Sequence, residues 1–312
     1  MALTGATGFT GSFVLPQLLA AGHEVVALAR KPEVLAGKCA HVIAGDLADG
    51  GALDELVSGA DVVLHMGGAV AAKNRAAFFD INVEGTKRLF LAARAAQVKR
   101  FVFISSLTAR QPQLSDYGAS KAAAEQYLLP FDDEDCDVLI LRPPAIYGPG
   151  DMATLPIFKA LQASLALVPG KAQSRFSLLY VSDFAKVACE SVDATAHGIF
   201  ELDDQSMGYE WSDLVRVNRA VTGYPRRVLQ LPQALVHAYA AMGEVAGRLK
   251  NEPPIISRQK VATAYHGDLV ANGWIWPIAK PVKLEQGLAQ TLEWYWQHGW
   301  LPRKNGKAGS RA

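Results

Sequence analysis

Residues 5–11 read Gly5-Ala6-Thr7-Gly8-Phe9-Thr10-Gly11. Three glycines at a spacing of three follow a short apolar start and open a helical pattern, Gly11–Ala21. Glycine permits a tight turn and close backbone approach, and the helix N-terminus behind it offers free N–H groups and a positive dipole end to a pyrophosphate. The setting, strand before and helix after, separates this from a chance glycine triplet. The strand before it is short. A central strand starting this close to residue 1 implies a late recorded start or an unusually brief strand.

Outward from this turn the chain alternates apolar runs with helical patterns. Strands are expected at Ala2–Leu3, Glu24–Ala29, His41–Ala44, Asp61–His65, Arg100–Ser105 and Val138–Leu141. Most are Val/Ile/Leu-rich without polar alternation, as in strands covered on both faces. Helices are expected at Ala52–Val57, Arg75–Gln97 and Tyr117–Leu129. Such alternation predicts an α/β fold, a doubly wound parallel sheet of the Rossmann type. After Pro149-Gly150 the texture changes. Residues 1–150 read as a dinucleotide-binding domain and 151–312 mainly as a substrate-binding region, some of whose elements return to the first. A strand at Phe176–Tyr180, helices at Ser182–Val192 and Leu284–His298 and a strand at Gly198–Leu202 are expected there. Leu235, Tyr239, Met242, Ala246 and Leu249 share one face of a further long helix. That face is expected to pack on the core, with cover over an apolar substrate or a membrane surface as alternatives. The tryptophans 274, 276, 294, 296 and 300 read mainly as core and docking residues. Asp132–Asp137 reads as a solvated loop and 304–312 as a disordered tail.

Composition narrows the function. The 312 residues are 50% hydrophobic and 20% charged, with 31 basic against 30 acidic residues and a net charge of +1. So even a balance argues against a general nucleic-acid binder. No run of 18 or more apolar residues points to an integral membrane segment. Cys39, Cys136 and Cys189 are too scattered for a disulfide framework or a zinc site, and the histidines show no ligand spacing, so no metal is expected. A reducing cytoplasm is the expected home.

Two further stretches carry chemistry. Tyr117 and Lys121 stand four apart, on one face of a helix. A phenol titrates near 10, and a neighbouring ammonium lowers that by about 1–3 units, enough for proton exchange with a substrate oxygen near neutral pH. Ser105-Ser106 closes the fifth strand, where open α/β sheets bind ligands, and a Ser hydroxyl there reaches the same oxygen. The second strand ends in Arg30-Lys31, without the carboxylate that grips the ribose of NAD. An Arg there suits a 2′-phosphate, so NADP(H) is favoured and NAD(H) is the alternative. Asp46 accepts the adenine amino proton or caps the following turn.

Taken together, TGATGFTG at 4–11, GDL at 45–47, NVEGT at 82–86, FVFISS at 101–106, YGASK at 117–121 and RPPAIYGPG at 142–150 resemble the extended short-chain dehydrogenases/reductases, the NAD(P)-dependent epimerase/dehydratase group. LLYVSDFAKV at 178–187 extends the resemblance to about residue 200. LEQGLAQTLEWYWQHGWL at 284–301 is similar to the closing helix of members resembling 3β-hydroxysteroid dehydrogenases. The resemblance implies that Gly5, Thr7, Gly8, Phe9, Thr10 and Gly11 line the pyrophosphate. It implies that Leu47 and Gly67 border the coenzyme and that Pro144 and Ile146 flank the nicotinamide. Tyr117 becomes the acid/base, Lys121 the holder of the nicotinamide ribose, and Ser106 the group orienting the substrate oxygen. Asn82 falls near the proton path or serves as a buried structural residue. Tyr180 and Asp183 read as residues joining the two regions.

Departures from the family matter as well. Only ten residues separate Ser106 from Tyr117, shorter than in sugar-nucleotide epimerases. Leu107-Thr108 replaces the acidic pair of the dehydratases. The substrate pocket, expected from 107–115, 147–175 and parts of 205–280, is apolar, with Arg175 its clearest cation. The leading expectation is an NADP(H)-dependent oxidoreductase exchanging hydride with a secondary alcohol or ketone of a steroid- or terpenoid-like small molecule. The alternatives are a sugar-nucleotide epimerase and a non-catalytic NADP(H)-binding sensor or accessory subunit. The family's habit of pairing through two long helices implies a homodimer.

Overall fold

The computed structural model describes residues 1–39, 41–132, 136–169, 175–250, 258–266 and 268–303. The middle of the acidic run and the tail from Lys304 lie outside the described residues. The strands are β1 (Ala2–Thr4), β2 (Val26–Ala29), β3 (His41–Ala44), β4 (Val62–His65), β5 (Arg100–Ile104), β6 (Asp137–Arg142), β7 (Ala145–Tyr147), β8 (Leu165–Pro169), β9 (Arg175–Phe176), β10 (Leu178–Tyr180), β11 (Gly198–Glu201), β12 (Arg227–Leu231) and β13 (Asp268–Leu269). The helices are α1 (Gly11–Ala20), α2 (Gly50–Val57), α3 (Arg75–Phe79), α4 (Gly85–Ala95), α5 (Asp116–Leu128), α6 (Leu155–Leu161), α7 (Val181–Asp193), α8 (Trp211–Thr222), α9 (Gln233–Lys250), α10 (Arg258–Tyr265) and α11 (Leu284–Gln297).

Seven strands form one parallel sheet in the order β11-β6-β5-β4-β1-β2-β3. The chain winds outward in both directions from β1, so the order reverses between β1 and β4. Ligands bind at such a switch point, beyond the carboxyl ends of the strands. The glycine turn follows β1 there, and Gly67 follows β4.

Both sheet faces are apolar because successive side chains point to opposite sides. Along β5, Phe101 and Phe103 join a core with α2, α4 and α5. Val102 and Ile104 join the other core, against α1 and α7. Each such side chain, when fully buried, contributes about 1.5–3 kcal/mol. A third core, around Phe158, Leu288 and Tyr295, gathers α6, α8 and α11 beyond the sheet ends.

Several expectations need correction. The run Phe176–Tyr180 is two strands, because the chain changes partners at Ser177: β9 pairs with β13 and β10 with β7. The single helix expected at 75–97 carries a π-helical turn, Asp80–Glu84, between α3 and α4. The region after residue 150 also holds a parallel ribbon, β8 with β12, which the sequence reading did not foresee. Of the α9 face expected to pack on the core, Leu235 and Met242 are exposed, while Ala240 is buried; the side chains of Tyr239, Ala246 and Leu249 lie outside the described ones. Trp276 is a core residue, whereas Trp274 is exposed.

Candidate active site

Each glycine of the turn has its own reason. Gly5 has φ +83°, and a Cβ there would meet the Met66 carbonyl carbon and the Gly67 nitrogen at 2.8 Å. A Cβ on Gly11 would lie 2.2 Å from the Gly5 carbonyl oxygen, so only glycine lets α1 approach β1. Gly8 N–H donates to the Gly5 carbonyl at 3.0 Å and closes the turn. Thr7 and Gly8 are exposed, with Phe9 and Thr10 half-buried beside them. The first turn of α1 carries no acidic residue and no side-chain cap, which leaves its N–H groups and dipole to an anion. The loop therefore fits a dinucleotide pyrophosphate.

The other cofactor candidates flank this loop. Arg30 and Lys31 lie just beyond β2, the strand beside β1, and both are exposed. Asp46 Oδ1 accepts from Ala48 N–H at 2.8 Å and closes a turn. Leu47 sits where a Cβ on Gly85 would touch it at 2.8 Å, against the start of α4.

A buried hydrogen-bond chain joins this loop to the helix of Tyr117. Gly67 N–H donates to Thr4 Oγ1 at 3.0 Å, and Thr4 Oγ1 meets His65 Nδ1 at 2.7 Å. His65 Nε2 meets Thr86 Oγ1 at 2.9 Å, and the Thr86 hydroxyl donates to the Asn82 carbonyl at 2.6 Å. Because Thr86 spends its one proton on Asn82, it must accept from His65 Nε2–H. Thr4 then donates to Nδ1. Burial, aided by the Lys121 charge, drives the His65 pKa down to about 3, so the imidazole is neutral, as this chain of bonds requires. From Asn82, Nδ2 donates to Ser120 Oγ at 2.9 Å, and that hydroxyl donates to the Tyr117 carbonyl at 2.8 Å. Asn82 also clasps Ala69 through both its amide atoms. It stands in the π turn, and such turns recur at functional sites.

Tyr117 stands in the first turn of α5, which Ser115 caps by accepting from Gly118 N–H at 3.0 Å. A Cβ on Gly118 would lie 2.7 Å from the Thr108 carbonyl oxygen, so glycine sets α5 close to the loop after β5. That loop carries Ser106, whose hydroxyl accepts from Thr108 Oγ1 at 2.9 Å. Burial raises the pKa of the Tyr117 phenol, and a hydrogen bond with Ser106 works the other way. The lowering expected from Lys121 is not found. Its Nζ donates to the Ile104 carbonyl at 2.9 Å and lies 4.7 Å from the Phe103 ring centre. Burial brings the Lys121 ammonium down to about 8, with Glu125 opposing. The Tyr117 phenol is thus a neutral acid near neutral pH, bonded to Ser106 and able to give a proton to a carbonyl oxygen.

Ser106 and Tyr117 open onto a cavity of about 370 Å³, within the size range of small-ligand clefts. Pro144, Tyr147, Phe158, Leu178, Trp211 and Leu288 are among its walls, with Thr108, Ser177, Thr263 and His266 as scattered polar groups. Ile146 packs against the core shared with α1 and α7 instead. Of 107–115, only Leu107 and Thr108 reach the cavity. Arg175 is exposed and donates to the Gly208 carbonyl at 2.9 Å, outside the lining. Asp183 accepts from Val282 N–H at 2.7 Å, tying α7 to the segment before α11.

Beneath the site lies a charge network that sequence reasoning missed. The Ser105 hydroxyl donates to Glu125, which Arg142 grips through two bonds of 2.9 and 2.6 Å. Arg142 lies 3.8 Å from Glu201, and Glu201 holds Arg110 at 3.3 Å and the Asn272 and Gly273 N–H groups at 2.9 and 3.0 Å. The network joins the base of α5 to the strap that follows β13. Its signal was present: β6 and β11 are apolar runs ending in Arg142 and Glu201, which the register pairs.

Residues 1–201 match the NAD dependent epimerase/dehydratase family. A ceramide reductase of Caulobacter vibrioides (strain NA1000 / CB15N) is 34% identical over 309 residues, covering 97% of this chain and 96% of that protein. A 3-beta-hydroxysteroid dehydrogenase of Mycolicibacterium neoaurum is 33% identical over 180 residues, 48% of each chain. Among solved structures, Pal from Bacillus thuringiensis aligns over 95% of this chain and 98% of its own with a TM-score of 0.72 at 19% identity. The UDP-glucose 4-epimerase of Thermus thermophilus, in complex with NAD, aligns over 94% and 97% with a TM-score of 0.65 at 20% identity. At these identities the structures share the fold.

Proposed function

This chain belongs to the NAD dependent epimerase/dehydratase family, and we propose that it is an NADP(H)-dependent reductase of a ketone on a long-chain, ceramide-like lipid. In broader terms it is an NAD(P)-dependent extended short-chain dehydrogenase/reductase acting on CH–OH groups. The observation that carries the finer reading is the largely apolar cavity of about 370 Å³ that Ser106 and Tyr117 line. Among the described residues its walls suit alkyl chains and hold no Lys or Arg for the diphosphate of a sugar nucleotide, which disfavours the epimerase reading. The similarity to a ceramide reductase along nearly the whole chain favours a chain-bearing lipid over a steroid or terpenoid.

In this reading Gly5, Gly8 and Gly11, with Thr7, Phe9 and Thr10, hold the pyrophosphate, and Arg30 with Lys31 takes the 2′-phosphate. Leu47, Gly67, Pro144 and Ile146 border the coenzyme, and Lys121 holds the nicotinamide ribose. The bound dinucleotide supplies hydride. Ser106 orients the substrate oxygen, and Tyr117, kept protonated by burial, delivers a proton to it. Asn82 acts through Ser120 and the Ala69 loop, as a positioning residue. A proton relay of this kind has no use in a mere sensor. We further infer a homodimer through α4 and α5, near whose outer surface Ile81 and Leu91 are exposed; sedimentation as a monomer would refute it.

The test presents the purified protein with NADPH or NADH and three ketones: a ceramide carrying a keto group in its long-chain base, a 3-ketosteroid and a UDP-4-ketosugar. NADPH consumption fastest with the keto-ceramide is the expected result. Fastest consumption with either other ketone, or with none, overturns the substrate assignment.

A further inference from the structure

We propose that the β8–β12 ribbon and the outward side of α9 form a docking surface for an anionic lipid bilayer. The proposal takes its purpose from the lipid-reductase reading above, although its test does not depend on it.

The apolar part is a row of residues left uncovered on adjoining elements. Leu165 and Leu167 of β8 are 47% and 46% exposed, and Leu229 of β12 is 51% exposed. The register sets Leu167 beside Leu229, so the two share the ribbon's outer side, while Ala166 and Val168 on the inner side are buried. After Pro232 the chain turns into α9, where Leu235 and Met242 are 60% and 71% exposed. Seven residues apart, they lie on one side of the helix, and the buried Ala240 lies on the other. Large apolar residues exposed singly are ordinary; a run of them on neighbouring elements marks an interaction surface.

The charge says what that surface meets. The whole chain is nearly neutral at +1, yet residues 216–260 hold eight Lys/Arg against two Asp/Glu, a local +6. Arg226 and Arg227 are exposed at the head of β12. On the ribbon's inner side, lined by Val168, Val228 and Gln230, runs an open groove of about 590 Å³ towards α8, which Arg216 and Arg219 also line. Arg219 Nε donates to the Pro225 carbonyl, and Arg216 is shared with Asp213 and Glu285. Pairing this surface with a second copy would bring the exposed Arg226 and Arg227 of the two copies together. An anionic bilayer instead offers acyl chains to the leucines and phosphates to the arginines. The position also serves the site. Trp211 borders both the groove and the cavity of Ser106 and Tyr117, and α10, packed against α9, contributes Thr263 to that cavity, which His266, just after α10, also lines. A lipid leaving the bilayer enters beside the elements that touch it.

The experiment is flotation with phosphatidylcholine vesicles made with and without equimolar phosphatidylglycerol. The protein is expected to float with the anionic vesicles only and to be released by salt. Replacing Arg226→Ala with Arg227→Ala is expected to weaken binding about twenty-five-fold, roughly fivefold for each cation near the surface. Leu235→Asp with Met242→Asp is expected to abolish it. Both pairs are read alongside thermal unfolding, which these exposed positions leave unchanged. Equal binding to neutral and anionic vesicles, absence of binding, or variants that float like the wild type overturns the proposal. So does gel filtration in which Leu235→Asp with Met242→Asp splits a dimer, because a second copy would then cover this face. Flotation uses no ketone and no coenzyme. Vesicle binding without turnover therefore counts against the reductase reading alone, and turnover without vesicle binding counts against docking alone.

Discussion

Replacing His65→Gln removes the one titrating member of the hydrogen-bond chain between the glycine loop and α5. His65 is fully buried between Thr4 and Thr86, and its pKa falls to about 3. In the unfolded chain an imidazole titrates near 6.5. The folded value is the lower one, so the unfolded state takes up the proton first, and acid favours unfolding. His65 therefore contributes stability that is complete above about pH 6.5 and lost as the pH falls towards 3. Linkage sets the slope at about 1.4 kcal/mol per pH unit, or about 2.7 kcal/mol between pH 6.5 and 4.5. Near pH 7 the wild type is expected to exceed His65→Gln by about 1–3 kcal/mol, the cost of poorly satisfied buried hydroxyls. Urea unfolding of both proteins from pH 7.5 to 4.5 measures the gap. It is expected to narrow through this range and to change sign near its acid end, because the glutamine cannot titrate. The buried carboxylates Asp151, Asp183 and Asp203, whose pKa values burial raises, are common to both proteins and cancel. A gap that stays constant with pH would refute the neutral, doubly bonded imidazole.

The remaining predictions concern other parts of the site. Gly11→Ala puts a Cβ 2.2 Å from the Gly5 carbonyl oxygen, so coenzyme binding, followed by calorimetry, is expected to disappear, whereas Gly51→Ala, with 3.6 Å to its nearest neighbour, keeps it. Glu125→Ala leaves Arg142 without its bidentate partner and is expected to lower stability by about 3–5 kcal/mol, read from the urea midpoint; Glu125→Leu with Arg142→Met recovers most of it. Arg30→Glu is expected to weaken NADPH binding roughly ten- to hundredfold while leaving NADH nearly unchanged, as a lost charge-assisted phosphate contact requires; equal losses for both coenzymes would show that Arg30 does not read the 2′-phosphate.

The sheet was legible because its signals are local. The glycine turn, the apolar runs on both faces of β4, β5 and β6, and the Tyr117–Lys121 spacing each lie within a few residues. What escaped depends on distance along the chain. Arg142 and Glu201 belong to strands roughly 60 residues apart, and only the register brings them together. β8 and β12 are short and pair across a similar gap. His65 ends an apolar strand, and only the packing shows that Thr4 and Thr86 flank it. The Tyr117–Lys121 spacing placed both on one face of α5, but burial, which sets the direction of the phenol's shift, is a tertiary property. The periodicity of α9 likewise revealed an apolar side without saying whether anything covers it.

The most direct measurement is the rate of NADPH oxidation with a keto-ceramide by the wild type and by Tyr117→Phe, with coenzyme binding measured on the same samples. Tyr117→Phe is expected to bind NADPH with unchanged affinity and to lose turnover by about 10²–10⁴-fold, the usual worth of a positioned proton donor. Turnover at the wild-type rate with the phenol removed would contradict the account.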